Sequence, residues 1–291
     1  MRINELIKVG VKRLKEKEIE EPVLKMRLLV ASALNKNKEY IIAHGEDEID
    51  SLKLEEIYSK MSKLEEYVPI QYITNKQEFM QLNFFVNENV LIPRGDTEVL
   101  VEEIIQNYKN EKVKILDLCT GSGCIAISLK KYIENSKIYA IDISEEALKV
   151  AKQNAINNEA DITFLKSDIF SNIKEEKFDI IVSNPQYIKT EVINNLDKEV
   201  KKEPLIALDG GNDGLYFYKK IIEEGYKFLN ENGTIFFEIG YDQKDEIINI
   251  VKNDTKYEVV KTKKDLGNND RIIVIRKVLD VIFIRNKRRI K

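Results

Sequence analysis

Asp117-Leu118-Cys119-Thr120-Gly121-Ser122-Gly123-Cys124-Ile125-Ala126 is the stretch from which the architecture can be read. The run Lys114-Ile115-Leu116-Asp117-Leu118 leading into it reads as a buried strand, the two glycines as a tight turn, and Cys124 onward as a helix. Strand, glycine turn and helix make the first step of an α/β sheet. The same alternation continues outward: Lys137 to Ile143 a strand, Ser144 to Asn157 a helix capped by Ser144, then strands at Ile162 to Leu165 and Phe178 to Ser183. Beyond them lie a glycine turn at Asp209 to Gly214, a helix from Leu215 to Leu229, the strand Thr234 to Ile239, and a helix from Lys244 to Val251. Two last strands, Tyr257 to Thr262 and Arg271 to Arg276, read as antiparallel. A mostly parallel sheet with helices on both faces is the fold this order predicts.

The turn also satisfies Gly-x-Gly-x-x-Ala, and Asp142 lies at the distance where an acid holds ribose hydroxyls, so a dinucleotide must be weighed. Charge argues against it. Asp117 ends its strand where a pyrophosphate would lie, and no Lys or Arg between 117 and 129 offsets the repulsion. S-adenosylmethionine shares the adenosine but carries a sulfonium and an ammonium in place of phosphate, and an acidic turn attracts it. Asp168, closing the strand before Ile169, is placed to accept an adenine amine while an apolar neighbour covers the ring.

A second stretch bears on chemistry: Phe178-Asp179-Ile180-Ile181-Val182-Ser183-Asn184-Pro185-Gln186-Tyr187. A β-branched run closed by Asn-Pro is a strand that stops abruptly, which pins Asn184 at the sheet's carboxyl edge, where ligands bind in open α/β sheets. An amide side chain, a proline carbonyl and an aromatic ring form a compact receptor for a planar NH2 group.

Composition sets the bounds. The 291 residues are 43% apolar and 33% charged with net charge -3, an ordinary globular balance without a polyanion-binding signature. The basic run Arg285 to Lys291 reads as a solvated tail. Cys119 and Cys124 are the only cysteines and His44 the only histidine, so neither a disulfide framework nor a metal site is expected, and cytoplasmic residence is. Before residue 68 the apolar spacing is helical: Ile3, Leu6, Ile7 and Leu14, then Val23, Met26, Leu29 and Val30 behind Pro22, then Leu54, Ile57, Met61 and Leu64. Residues 70–92 carry the aromatic and β-branched pattern of a hairpin. Asp96 or Thr97 is placed to cap the helix that follows.

With Asp117 to Gly123, Asp142 and Asn184 to Tyr187 in this order, the chain resembles class I S-adenosylmethionine methyltransferases. More closely it resembles the PrmC or HemK family of release factor N5-glutamine methyltransferases. Shared features include Pro69-Ile70-Gln71-Tyr72-Ile73, Val90-Leu91-Ile92-Pro93-Arg94, Glu203-Pro204, Gly210-Gly211 and Glu238-Ile239-Gly240. Gln186 and Gly95 stand where the family usually has proline. The resemblance implies a Rossmann-like, mostly parallel seven-stranded sheet, with a helical bundle over 1–68 that docks a release factor and a β-hairpin linker over 69–93. The methyltransferase domain then spans 94–278 and a basic tail 279–291.

It implies S-adenosylmethionine bound by Asp117, Cys119, Thr120, Gly121, Ser122, Gly123, Asp142, Ile143, Asp168, Ile169 and Asn184. Asn184, Pro185 and Tyr187 would be catalytic, and together with Gln186 would bind the glutamine of the Gly-Gly-Gln loop in peptide chain release factors 1 and 2. Two competing readings use the same residues. An N6-adenine methyltransferase would grip the NH2 of a flipped base, and a catalytically impaired release-factor-binding protein would follow if Gln186 abolished turnover.

Overall fold

The computed structural model describes residues 1–174 and 176–278, so the basic run from Arg285 lies outside the described residues. The chain divides into two compact units. One holds residues 1–76 with 86–88 and 196–203, and the other holds 77–85, 89–195 and the chain from Pro204 onward.

The first unit is helical: α1 (Ile3–Glu16), α2 (Pro22–Leu34), α3 (Lys38–Ala43), α4 (Ser51–Glu65) and α5 (Ile70–Thr74). Pro22 occupies the first turn of α2, where a backbone N–H would have no intrahelical partner to lose. The predicted stripes form one core of Ile3, Leu6, Leu14, Met26, Leu29, Ile57, Met61 and Leu64. Within this unit Lys25, 7% exposed, is ion-paired to Glu199 of the returning segment. α5 departs from the strand pattern expected for residues 70–73. Ile70 and Ile73 share one helical face, and both are buried in the helical core, a tertiary demand that overrides β-propensity. The hairpin is correspondingly shorter: β1 (Gln77–Phe79) pairs antiparallel with β2 (Leu82–Phe84), both in the second unit.

The second unit is built on a seven-stranded sheet with order β5-β4-β3-β6-β7-β9-β8. Its strands are β3 (Lys114–Leu118), β4 (Lys137–Asp142), β5 (Ile162–Lys166), β6 (Phe178–Ser183), β7 (Leu229–Glu238), β8 (Tyr257–Lys264) and β9 (Asp270–Lys277). β3 to β7 run parallel, and β9 enters antiparallel between β7 and β8. The helices are α6 (Gly95–Tyr108), α7 (Cys124–Tyr132), α8 (Glu145–Asn157), α9 (Tyr216–Gly225) and α10 (Lys244–Asn253). β7 begins earlier than its apolar run, at Leu229, and Asn232 takes a left-handed φ of 63° in its irregular first half. Leu116, Ile181, Phe237, Ile273 and Tyr218 are among the fully buried side chains of the sheet's core.

After β3 the chain winds outward through β4 to β5, then crosses back to place β6 on β3's other side. β3 and β6 therefore flank the switch point, where parallel sheets open a crevice at their carboxyl ends. Register sharpens this. Leu118 lies opposite Ser183, and Ser183 opposite Phe237, so the next residues, Cys119, Asn184 and Glu238, emerge side by side along one edge.

Candidate active site

The turn after β3 is bent to fit between strand and helix. Cys119, Gly121 and Gly123 all take positive φ, at 59°, 55° and 81°. Only two are glycine, and they serve different ends. A Cβ on Gly123 would lie 3.1 Å from Ile127 Cδ1 and 3.2 Å from Ala151, whereas one on Gly121 would enter open space. Gly123 lets the helix close on its neighbour; Gly121 keeps a cradle empty. Asn154, fully buried in α8, donates from Nδ2 to the carbonyls of Ser122 and Phe85 and accepts from Phe85 N–H, clamping the turn from behind.

Asp117 is fully buried beneath this turn. Its Oδ2 accepts from Thr120 Oγ1 at 2.6 Å, while Oδ1 has no hydrogen-bond partner among the described residues. Burial raises its pKa to about 7, opposed by the Thr120 hydroxyl. Asp142, at the end of β4, accepts Gly121 N–H on Oδ2 and Ser144 N–H on Oδ1, both at 2.9 Å; burial shifts it upward too, against those amides. Ser144 caps α8 as expected, accepting from Ala147 N–H. The Cys119 thiol is pushed up by burial and by Asp142 and Asp117, and burial lifts Cys124 to about 12, so neither supplies a thiolate nucleophile.

Cys119, Gly121, Asp142 and Asn184 line a cleft together with the stretches Asn89–Leu91 and Ile206–Ala207. No Lys or Arg lines it, so a cationic ligand is attracted and a pyrophosphate is opposed. The open cradle at Gly121, Asp142 in the lining and Asp117 buried beneath the turn together fit S-adenosylmethionine.

Other predicted positions fall differently. Ile143 stands 46% exposed beside Asp142. Ile169, expected to cover an adenine, is instead 4% exposed in the sheet's core. Its φ of 49° is rare for a β-branched residue, and it turns the side chain inward after β5. Asp168 is exposed and ion-paired to Lys220 at 3.0 Å, a partner on α9 that local sequence does not announce.

On the β6 side Pro185 is buried and Asn184 partly so. Asn184 Nδ2 donates to Thr97 Oγ1 at 3.2 Å. Thr97 is thus not the cap expected of it: Arg94 holds the N-cap position of α6 with no side-chain capping bond to the helix, and Thr97 is turned inward at 2% exposure. Gly95 is the first helical residue, where the family's proline would also fit. Glu238, 1% exposed, faces the Thr97 hydroxyl and the Asn184 amide; burial lifts its carboxyl to about 7 against their pull and that of Arg271. Gln186 donates from Nε2 to Ile206 O at 2.7 Å, leaving Oε1 buried without a partner among the described residues.

Tyr187 packs against the sheet's core, and burial raises its phenol to about 12. Its carbonyl accepts Gln243 Nε2 at 3.0 Å. The glycine turn explains itself here. A Cβ on Gly210 would sit 2.7 Å from Gln186 O and 2.8 Å from Tyr187 Cα, and one on Gly214 2.5 Å from Tyr187 O. The acceptor loop is therefore seated on backbone that only glycine allows. Gly210→Ala is expected to cost about 1–3 kcal/mol by overpacking and to displace the loop, lowering both Tm and turnover; an unshifted melting curve with full turnover would contradict this seating.

Comparison with known proteins matches the Methyltransferase small domain family over residues 94–202 and the PrmC N-terminal domain family over residues 5–74. The release factor glutamine methyltransferase of Clostridium botulinum is 39% identical over 283 residues, covering 95% of this chain and 100% of the relative. That of Thermodesulfovibrio yellowstonii is 42% identical over 235 residues, covering 79% of this chain and 84% of its own length. Among solved structures, a methyltransferase from Pyrococcus furiosus superposes with TM-score 0.54 at 20% identity, over 79% of this chain and 100% of that one, a likeness of fold.

Proposed function

This chain belongs to the release factor glutamine methyltransferase family, and on that premise we propose that its substrate is the glutamine of the Gly-Gly-Gln loop in release factors 1 and 2. The enzyme is an S-adenosylmethionine-dependent protein glutamine methyltransferase. It would act in the cytoplasm, where translation terminates, with the helical unit gripping the body of the release factor. The observation that carries the reading is the carboxyl edge shared by β3, β6 and β7, with Asn184 between a cation-attracting turn and a rigid acceptor loop.

The bound cofactor supplies an electrophilic methyl group on a positively charged sulfur. A carboxamide nitrogen is a poor nucleophile because its lone pair is delocalised into the carbonyl. Asn184 has its Nδ2 committed to Thr97, which leaves Oδ1 to accept one N–H of the substrate amide, while the Pro185 carbonyl accepts the other. Two acceptors on one NH2 group fix its plane and shift electron density onto nitrogen. Gln186, its Nε2 anchored on Ile206, stands where the family has a proline ring. Asp117 and Asp142 would hold the cofactor, the first by charge and the second through ribose hydroxyls. Positioning of this kind is worth up to ~7–11 kcal/mol of barrier, which accounts for an active site with no histidine or thiolate.

Incubation with methyl-labelled S-adenosylmethionine and either a release factor or duplex DNA tests the proposal. Label is expected in the release factor alone; label in DNA, or in neither with cofactor bound, would refute it.

A further inference from the structure

We propose that Glu238, together with Thr97, is a positioning pair that decides which end of the Asn184 carboxamide faces the cleft. The proposal deepens the reading above and rests on Asn184 Oδ1 as acceptor.

An amide side chain can enter a site in two orientations related by a half-turn, and only one presents oxygen to a substrate NH2. Something must bias the choice. β6 and β7 are parallel and in register, with Ser183 opposite Phe237, so Asn184 and Glu238 leave the sheet as neighbours. Thr97 reaches them from α6, and its Oγ1 accepts a hydrogen bond from Asn184 Nδ2 at 3.2 Å. Its own hydroxyl and the Asn184 amide both face the Glu238 carboxyl. An ionised carboxylate only accepts, so it favours the NH2 end of Asn184 inward and the oxygen outward. The reversed orientation would set two oxygens against each other in a buried place.

Glu238 is well held for such a task. Tyr218 Oη donates to its backbone carbonyl at 2.8 Å, fixing the strand end. Its side chain is 1% exposed, and Oε2 has no hydrogen-bond partner among the described residues. Fold stability alone would be better served by an apolar residue there. The groups that bear on its charge are Asp96 and Thr97 on α6, Tyr187 after β6, Arg271 on β9, Tyr218 on α9 and Cys124 at the start of α7.

A protonated carboxyl is a donor as well as an acceptor, so it no longer enforces the orientation. With Glu238 shifted to about 7, the bias is complete above that pH and fades below it. Glu238→Gln, Thr97→Val and Thr97→Ser separate the possibilities, assayed from pH 6 to 9 with the full-length enzyme, its cofactor and a release factor. Glu238→Gln and Thr97→Val are expected to lower kcat roughly tenfold without raising KM for the cofactor, and Glu238→Gln to remove the rise of kcat near pH 7. Thr97→Ser keeps the hydroxyl and should keep kcat.

A second readout needs no turnover. The side-chain amide resonance of Asn184, in 15N-labelled protein without ligands, should shift across the same pH range and lose that shift in Glu238→Gln. A pH-insensitive Asn184 resonance, or Glu238→Gln with unaltered kcat and pH profile, would overturn the pairing. If instead the resonance titrates as expected but Asn184→Ala retains full turnover, the acceptor role itself falls while the pairing stands.

Discussion

Asn184→Ala will abolish most turnover while leaving cofactor affinity within a few fold of the parent enzyme. The asymmetry follows from where the side chain lies. Asn184 borders the cleft at the end of β6, and its Nδ2 is already bonded to Thr97, so on the proposed reading Oδ1 is the atom that meets the incoming substrate. Losing one acceptor leaves the substrate NH2 held from one side and free to rotate off line. Misalignment of that size costs roughly a hundredfold or more in kcat. The substitution also strips Thr97 and Glu238 of a polar partner in a buried place, so Tm should drop by the equivalent of about 1–3 kcal/mol. Assays below the lowered Tm, with calorimetric titration of the cofactor alongside, separate the two effects. Wild-type kcat in the folded variant would remove Asn184 from the chemistry.

Asp117→Asn is expected to raise stability and lower cofactor affinity together. The native carboxyl holds its proton up to about 7 because it is buried, whereas the unfolded one ionises near its ordinary 3.8. Between those values the folded state binds more protons. The contribution of Asp117 to stability is therefore greatest on the acid side and falls as pH rises toward 7, by on the order of 4 kcal/mol. Glu238 acts in the same direction from 4.5 to about 7. An amide at 117 removes its share of this cost, so the variant should melt higher than the parent at pH 8 and show a flatter pH profile. Without the charge, a ligand bearing a sulfonium and an ammonium loses an opposite partner, and Kd should rise roughly 10- to 100-fold. A variant that binds as tightly as the parent, or melts lower at pH 8, would contradict this account of the acidic turn. The trade is one in which function retains a group that the fold alone would discard.

What the chain's order of residues made legible was the strand ends. Asp117, Asp142 and Asn184 each close an apolar run at a glycine, serine or proline signal, and such signals are local. Gly121 and Gly123 were legible as a turn, though only packing tells that one spares space for a ligand and the other lets Ala151 approach. What stayed hidden was tertiary. Thr97 looks like a helix cap because it opens an amphipathic segment, and nothing nearby in the chain announces a partner 87 residues away. Glu238 reads as the polar end of a β-strand; its meaning comes from the register of β6 and β7. Ile169 was misread because its side-chain direction is set by a left-handed φ that its residue type disfavours. Ile70 to Thr74 has β-favouring composition, and only the first unit's core, where Ile70 and Ile73 are buried, makes it a helix.

The central claim is that a carboxamide is captured by matched acceptors beside a cation-binding turn. Its most direct test is peptide mapping by mass spectrometry of release factor treated with the enzyme and S-adenosylmethionine, run beside a release factor whose loop glutamine is replaced by glutamate. One methyl group on the side-chain nitrogen of that glutamine, and none anywhere on the glutamate form, is the predicted result. A methyl group found on another residue, or gained equally by the form that has no amide hydrogens to offer, would contradict it.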